Sequence, residues 1–125
     1  MPLNENGNHW TLSLIDPVAR KIDYFDPQHS NGERVMKSIL DFIEEEHVYS
    51  IIPFDRSMWT LKSHFNTPKQ TDSHSCGVLT ILTALCVALD RKIDFGMGSI
   101  PEIRKKIKFL LSYESLIDPY VYNVT

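Results

Sequence analysis

Cysteine, the side chain with the strongest nucleophilic chemistry, occurs in this sequence at the start of an apolar segment. Cys76 follows the polar residues 70–75 and precedes residues 78–89, which are nearly all apolar. This pattern predicts a helix enclosed on most sides, with Ser73 or Ser75 as its N-cap and Cys76 in its first turn. Unpaired backbone N–H groups and the positive end of the helix dipole favour a thiolate there, so Cys76 is the candidate nucleophile.

A thiolate nucleophile requires a base, and the sequence offers five histidines. His74 is two positions from Cys76, a spacing at which helical side chains do not face one another. His9 opens an alternating segment and Asp26 closes the next one, so an antiparallel hairpin would bring both to the same end of a sheet. With the cysteine they would form a set of nucleophile, base and orienting acid. The other histidines fall in a predicted loop, at a helix end and in a strand: His29, His47 and His64.

Hydrophobic periodicity predicts the elements that position these residues. Residues 10–15 and 21–25 alternate apolar and polar side chains on either side of a turn, as a hairpin does. Residues 33–47 carry apolar side chains at helical spacing, and residues 59–65 alternate again as a third strand. The nucleophile helix follows that strand.

A last helix is predicted after the glycines at positions 96 and 98. Ser99 would cap it, with Pro101 at an early position and Glu102 at capping-box spacing. Residues 104–108 supply a basic face that we expect to be solvated. The predicted apolar stripe contains Ile103, Ile107, Leu110 and Leu111.

Composition excludes several classes of protein. The net charge of −3 and the pI of about 5.9 leave no basic stripe for nucleic acid. No apolar run at the N-terminus is long enough for a signal peptide or a membrane span, and two cysteines indicate a reducing compartment rather than a disulfide scaffold. Cys86 lies ten residues beyond Cys76, about 15 Å along one helix, and is interpreted as a core residue. His74 and Cys76 have no second ligand pair, so no metal is expected.

The arrangement of these residues resembles the ubiquitin-like-specific proteases, which process and deconjugate SUMO and related modifiers. The step from His9 to Asp26 is 17 residues and the step from Asp26 to Cys76 is 50 residues, in the family's order. The resemblance covers residues 2–111. Its motifs are His9-Trp10, Asp26 within Tyr24-Phe25-Asp26-Pro27, and Gln70 six residues before Cys76-Gly77.

The resemblance implies a role for each matching residue. Cys76 would be the nucleophile, His9 its general base, and Asp26 the group that holds the imidazole tautomer. Gln70 would donate a side-chain N–H to the oxyanion of the tetrahedral intermediate. Trp10 would help to cover the narrow tunnel that admits the substrate's Gly-Gly end. Gly77 would remove a side chain beside the nucleophile.

The resemblance also implies the fold and the partner. The fold would be papain-like α+β, with a small mixed or antiparallel sheet packed against a buried helix that carries the nucleophile. Residues 1–125 would form one domain, the C-terminal portion of a catalytic domain whose N-terminal half is absent. The partner would be a ubiquitin-like modifier such as SUMO, with its conjugates, in the nucleus or cytoplasm and without a cofactor. The sequence sets no oligomeric state.

Two functions remain open. One is a thiol protease and isopeptidase that cleaves after the C-terminal Gly-Gly of such a modifier. The other is a weak or inactive truncated relative that acts as a binding module. The four matching site residues favour the first function, and the absent front half favours the second.

Overall fold

A computed structural model describes residues 1–48 and 50–114 of the chain. The predicted hairpin, third strand and three helices are all present. One strand at the start of the chain was not predicted, because it is four residues long. The strands are β1 (Pro2–Glu5), β2 (His9–Asp16), β3 (Lys21–Phe25) and β4 (Thr60–His64), and the helices are α1 (Glu33–His47), α2 (Cys76–Ala88) and α3 (Ile100–Glu114).

The four strands form one mixed sheet in the order β1-β2-β3-β4. The first three strands are antiparallel neighbours, and β3 pairs with β4 in parallel. A parallel pair needs a crossover connection, which α1 provides between β3 and β4. The α+β fold with a small mixed sheet is therefore confirmed.

Helix α1 covers one face of the sheet and α2 covers part of the other. Ile22 and Tyr24 of β3 pack with Met36 and Leu40 of α1 in one buried cluster. Their neighbour in β3, Phe25, points the other way because side chains alternate along a strand. There Phe25 and Leu12 of β2 contribute with Leu79, Thr80 and Thr83 of α2 to the walls of one small cavity.

The prediction that α2 is enclosed on most sides is wrong for one of its faces. Ile81 and Leu85 are about half exposed, at 53% and 51%, whereas Val78 and Leu79 are buried. Within the described residues α2 packs against the sheet, against α3, and in one cluster with Phe95 and Met97 of the segment between the two helices. An apolar sequence does not specify how many neighbours a helix has.

Helix α3 also differs in part from the prediction made for it from the sequence. Ile103 and Ile107 pack on the cluster formed by Val78, Leu79 and Ile100, as the stripe predicts. Leu110 and Leu111 are 61% and 65% exposed. The first turns of α3 are the part that reaches α2, so the rest of the stripe has no apolar partner in that cluster. No helix in the described ranges has the length and hydropathy needed to cross a lipid bilayer.

A substitution at Gly32, directly before α1, tests how tightly that helix packs on the sheet. A Cβ atom built there would overlap the ring of Tyr24, whose side chain is fully buried. We expect Gly32→Ala to lower the free energy of unfolding by about 1–3 kcal/mol, as overpacking does. Urea denaturation measures the change. Gly98→Ala is the control because a Cβ there meets no atom within 4 Å; equal losses in both variants would contradict the packing argument.

Candidate active site

The hairpin of β2 and β3 brings His9 and Asp26 together. His9 is the first residue of β2 and Asp26 directly follows the last residue of β3, which runs antiparallel to it. The His9 Nε2 atom lies 2.6 Å from Asp26 Oδ1. Their side chains are 16% and 2% exposed, so the pair is largely shielded from water.

Asp26 is held as a carboxylate by the loop that follows it. Burial raises the pKa of Asp26, but hydrogen bonds from the Ser30 hydroxyl, the Gln28 backbone N–H and His9 outweigh burial and bring the pKa below its ordinary value. An ionised carboxylate only accepts hydrogen bonds, so Nε2 of His9 carries the shared proton. The other ring nitrogen, Nδ1, is then the atom that can accept a proton from a thiol.

Cys76 is the first residue of α2 and is 6% exposed. Helix α2 is fixed to β2 next to His9, since Thr80 Oγ1 donates to the backbone oxygen of Trp10 at 3.1 Å. The Trp10 ring also covers Gly77, where a Cβ would lie 3.5 Å from Trp10 Cδ1. Among the described residues, however, no hydrogen bond joins His9 to the Cys76 thiol. The role of each residue in catalysis stays a prediction.

Asp72 holds the residues directly before α2, and the predicted Ser75 cap is correct in position but not in its side-chain bond. Ser75 occupies the N-cap position, but its side chain makes no capping bond. Its hydroxyl donates to Asp72 Oδ2 at 2.6 Å, while Asp72 Oδ1 accepts the backbone N–H groups of His74 and Ser75 at 3.0 and 2.8 Å. A carboxylate accepts these donors more strongly than a hydroxyl does. The bonds from the Ser75 hydroxyl and the two backbone groups hold the pKa of Asp72 well below its ordinary value.

Gln70 connects the loop after Asp26 to the loop before Cys76. Its backbone N–H donates to Pro27 O at 2.7 Å, and its side-chain Nε2 donates to Asp72 O at 2.7 Å and Asp72 Oδ1 at 3.2 Å. Its Oε1 atom is buried and has no partner within the described chain. The N–H groups that the resemblance assigns to an oxyanion are therefore bonded to Asp72 in this structure.

An open cleft of about 870 Å³ lies at the N-terminus of α2. Its walls include Trp10, Cys76 and Gly77, so these three predicted residues share one surface. His9, Asp26 and Gln70 are outside this lining. No cluster of histidine, cysteine or carboxylate side chains that could hold a metal ion occurs in residues 1–48 or 50–114.

Arg104 of α3 is a site residue that the sequence reasoning missed. It was assigned to a solvated basic face, yet its Nη2 atom donates to His74 O at 2.8 Å and lies 3.5 Å from Ser75 Oγ. It also lines the cleft with Cys76. The available signal was its spacing: Arg104 falls on the helical stripe of Ile100, Ile103 and Ile107, which faces α2.

Comparison with known proteins identifies the family. Residues 1–118 match the Ulp1 protease family, C-terminal catalytic domain. The chain belongs to the Ulp1 protease family. It is 26% identical over 113 residues to sentrin-specific protease 2 of Homo sapiens and 27% identical over 121 residues to ubiquitin-like-specific protease 1 of Saccharomyces cerevisiae. These matches cover 87% and 92% of this chain but only 19% and 18% of those proteins.

Solved structures of Ulp1-family members have the same fold. The catalytic domain of the Chaetomium thermophilum Ulp1-like SUMO protease matches with a TM-score of 0.70 and 29% identity, over 85% of this chain and 42% of that one. The C-terminal Ulp1 protease domain in complex with Smt3, the yeast ortholog of SUMO, matches with a TM-score of 0.71 and 25% identity, over 93% and 52%. The chain therefore spans about half of these solved domains, and the family resemblance is confirmed.

The charge of Asp72 predicts how acid affects the fold. Because its pKa is lower in the folded chain than in the unfolded chain, its contribution to stability is present above the unfolded value, about 4, and is lost as the pH falls through the folded value. We expect Asp72→Asn, which keeps an acceptor for the backbone N–H groups, to lose less stability between pH 5 and pH 2 than the wild type does. Urea denaturation at a series of pH values measures this slope.

The matched control is Asp94→Asn, which removes the same charge at an exposed position outside α2. If Asp94→Asn reduces the loss of stability between pH 5 and pH 2 as much as Asp72→Asn does, Asp72 makes no special contribution.

Proposed function

We propose that this Ulp1-family chain provides the catalytic residues of a cysteine protease and isopeptidase that cleaves after the C-terminal Gly-Gly of a SUMO-type modifier. The observation that carries this proposal is the shielded pair of His9 and an ionised Asp26 on the strand against which the Cys76 helix is anchored. The pair supplies an oriented base, and the first residue of α2 supplies the thiol.

The reaction would proceed in two steps. Nδ1 of His9 takes the thiol proton, and the sulfur attacks the carbonyl carbon of the terminal glycine. The imidazolium then returns the proton to the leaving lysine or α-amine as the C–N bond breaks, which leaves a thioester on Cys76. A water molecule, deprotonated by the same imidazole, hydrolyses the thioester and releases the carboxylate of the modifier.

The contact between Trp10 and Gly77 supports a substrate end without side chains. The indole ring lies over the helix turn directly after the nucleophile, at ordinary van der Waals distance from a Cβ built on Gly77. The ring and Cys76 line the same cleft, so a chain end that reaches the thiol passes along the indole, where glycines bring no side chain against it. The solved complex of the Ulp1 protease domain with Smt3 supports a SUMO-type partner.

A non-catalytic binding module is the second candidate. Two observations favour it: His9 and Cys76 share no hydrogen bond in the described chain, and Asp72 engages the Gln70 amide. Hydrogen bonds at a catalytic centre often tighten only in the substrate complex, so the first proposal retains priority.

Two unpaired cysteines within the described residues support an intracellular location, in the nucleus or cytoplasm.

Thiol labelling tests the identity of the nucleophile. We expect iodoacetamide to modify Cys76 faster than Cys86 at pH 7, because only Cys76 combines a helix N-terminus with a nearby imidazole on an anchored strand. Peptide mapping by mass spectrometry at short reaction times measures both rates. Cys76→Ser is the control for peptide assignment, and a Cys86 rate equal to or above the Cys76 rate would reject the assignment.

Substitution of the base tests the proposed chemistry. We expect His9→Gln to lower kcat/KM for a SUMO-type modifier with a C-terminal fluorogenic amide by about 10²- to 10⁴-fold, the usual contribution of general acid–base catalysis. The matched control is His64→Gln. His64 Nε2 also lies 2.6 Å from a carboxylate, Asp23 Oδ1, but on β4 rather than at the start of β2. Comparable losses in both variants would point to a structural role for His9.

A further inference from the structure

Arg104 is a charged side chain in the stripe of α3 that packs on α2. Ile100, Ile103 and Ile107 anchor this stripe in the cluster with Val78 and Leu79. These positions follow helical spacing, so Arg104 is carried on the same face, one position after an anchored isoleucine. The packing of its apolar neighbours therefore limits the directions in which the guanidinium can extend.

The guanidinium contacts the chain directly before the nucleophile. Arg104 Nη2 donates to the backbone oxygen of His74 at 2.8 Å, which is a charge-assisted hydrogen bond. The same atom is 3.5 Å from Ser75 Oγ, and Ser75 is fully buried. Only the Ser75 residue separates the held carbonyl from Cys76.

Asp72 holds the other side of the same peptide segment. It accepts the backbone N–H groups of His74 and Ser75 and the hydroxyl of Ser75. The segment is thus held at its N–H groups by an anion from its own loop and at its carbonyl by a cation from α3. The His74 carbonyl and the Ser75 N–H belong to one planar peptide group, so Arg104 and Asp72 hold that group from opposite sides. Loss of the cation would leave the group held from one side only, and the tilt of the peptide before Cys76 would be less restricted.

The cation also changes the charge around the thiol. Arg104, Lys108 and His74 line the cleft that contains Cys76, and the Asp72 carboxylate binds Ser75 on the other side of the segment. A positive charge nearby favours a thiolate over a thiol. Orientation and charge therefore act in the same direction on Cys76.

We propose that Arg104 is a positioning residue for Cys76: it holds the peptide before the nucleophile and keeps a positive charge beside the thiol. This inference rests on the proposed function only in that Cys76 is the reacting group. It assigns to the first turns of α3 a role in reactivity, in addition to their packing on α2.

The test measures the alkylation rate of Cys76 in the full chain as a function of pH. We expect Arg104→Met, which keeps most of the apolar stem of the side chain and removes its charge, to lower the rate at pH 7 by about three- to tenfold and to move the rate profile to higher pH. Arg104→Lys keeps a cationic donor and should recover most of the wild-type rate. The matched control is Lys106→Met, which removes one positive charge from an exposed position of the same helix.

Each outcome decides the proposal. The proposal is supported if Cys76 is alkylated slowly and with a shifted pH profile in Arg104→Met, but at nearly the wild-type rate in Arg104→Lys and in the control. The proposal is overturned if Arg104→Met and Lys106→Met show equal alkylation rates at Cys76. It is also overturned if Cys76 in Arg104→Lys reacts as slowly as in Arg104→Met. Circular dichroism establishes that each variant is folded; if Arg104→Met does not fold, Arg104→Gln replaces it under the same criteria.

The same data separate this inference from the proposed function. The rate ratio of Cys76 to Cys86 in the wild type judges the proposed nucleophile. The change in the Cys76 rate on substitution of Arg104 judges the positioning role. One result can fail while the other stands.

Discussion

The attachment of α2 across the start of β2 is the constraint on which the site depends. Strand β2 carries His9 and Trp10, and α2 carries Cys76 and Gly77. The hydrogen bond from Thr80 Oγ1 to Trp10 O and the contact between the Trp10 ring and Gly77 fix one element on the other. The ring lies close to the helix turn that bears the thiol, at ordinary van der Waals distance from a Cβ built on Gly77. The distance between base and nucleophile is therefore set by packing rather than by either loop.

Two carboxylates organise the loops on either side of this attachment. Asp26 and Asp72 each accept several hydrogen bonds at the end of an element, from backbone N–H groups as well as from side chains. The bonds to donors around them lower both pKa values, so both groups remain charged near neutral pH. The bond from Gln70 N to Pro27 O joins the two loops. Base and nucleophile are thus supported by one connected set of polar contacts, although they belong to different elements.

Helix α3 adds a cation to this set, and its role illustrates how a Ulp1-family chain uses surface charge. Three other basic residues lie within two turns of Arg104, and the sequence does not distinguish them: Lys105, Lys106 and Lys108. Arg104 differs because the apolar anchors of α3 turn its position toward α2. A surface cation with a backbone carbonyl in reach forms a directed bond, whereas Lys105 pairs with Glu102 of its own helix at 3.7 Å.

The sequence by itself determined the local elements and the chemistry-bearing residues. Alternation and helical spacing are properties of short segments, so the hairpin, the third strand, the three helices and the juxtaposition of His9 with Asp26 could be predicted. The four-residue strand β1 could not, because it offers too few residues for a periodic pattern. The tertiary structure alone decided that β4 lies parallel to β3, that Ile81 and Leu85 of α2 are exposed, and that the Asp72 carboxylate binds the backbone directly before that helix. These features depend on which distant groups meet in space, and periodicity along the chain carries no information about that.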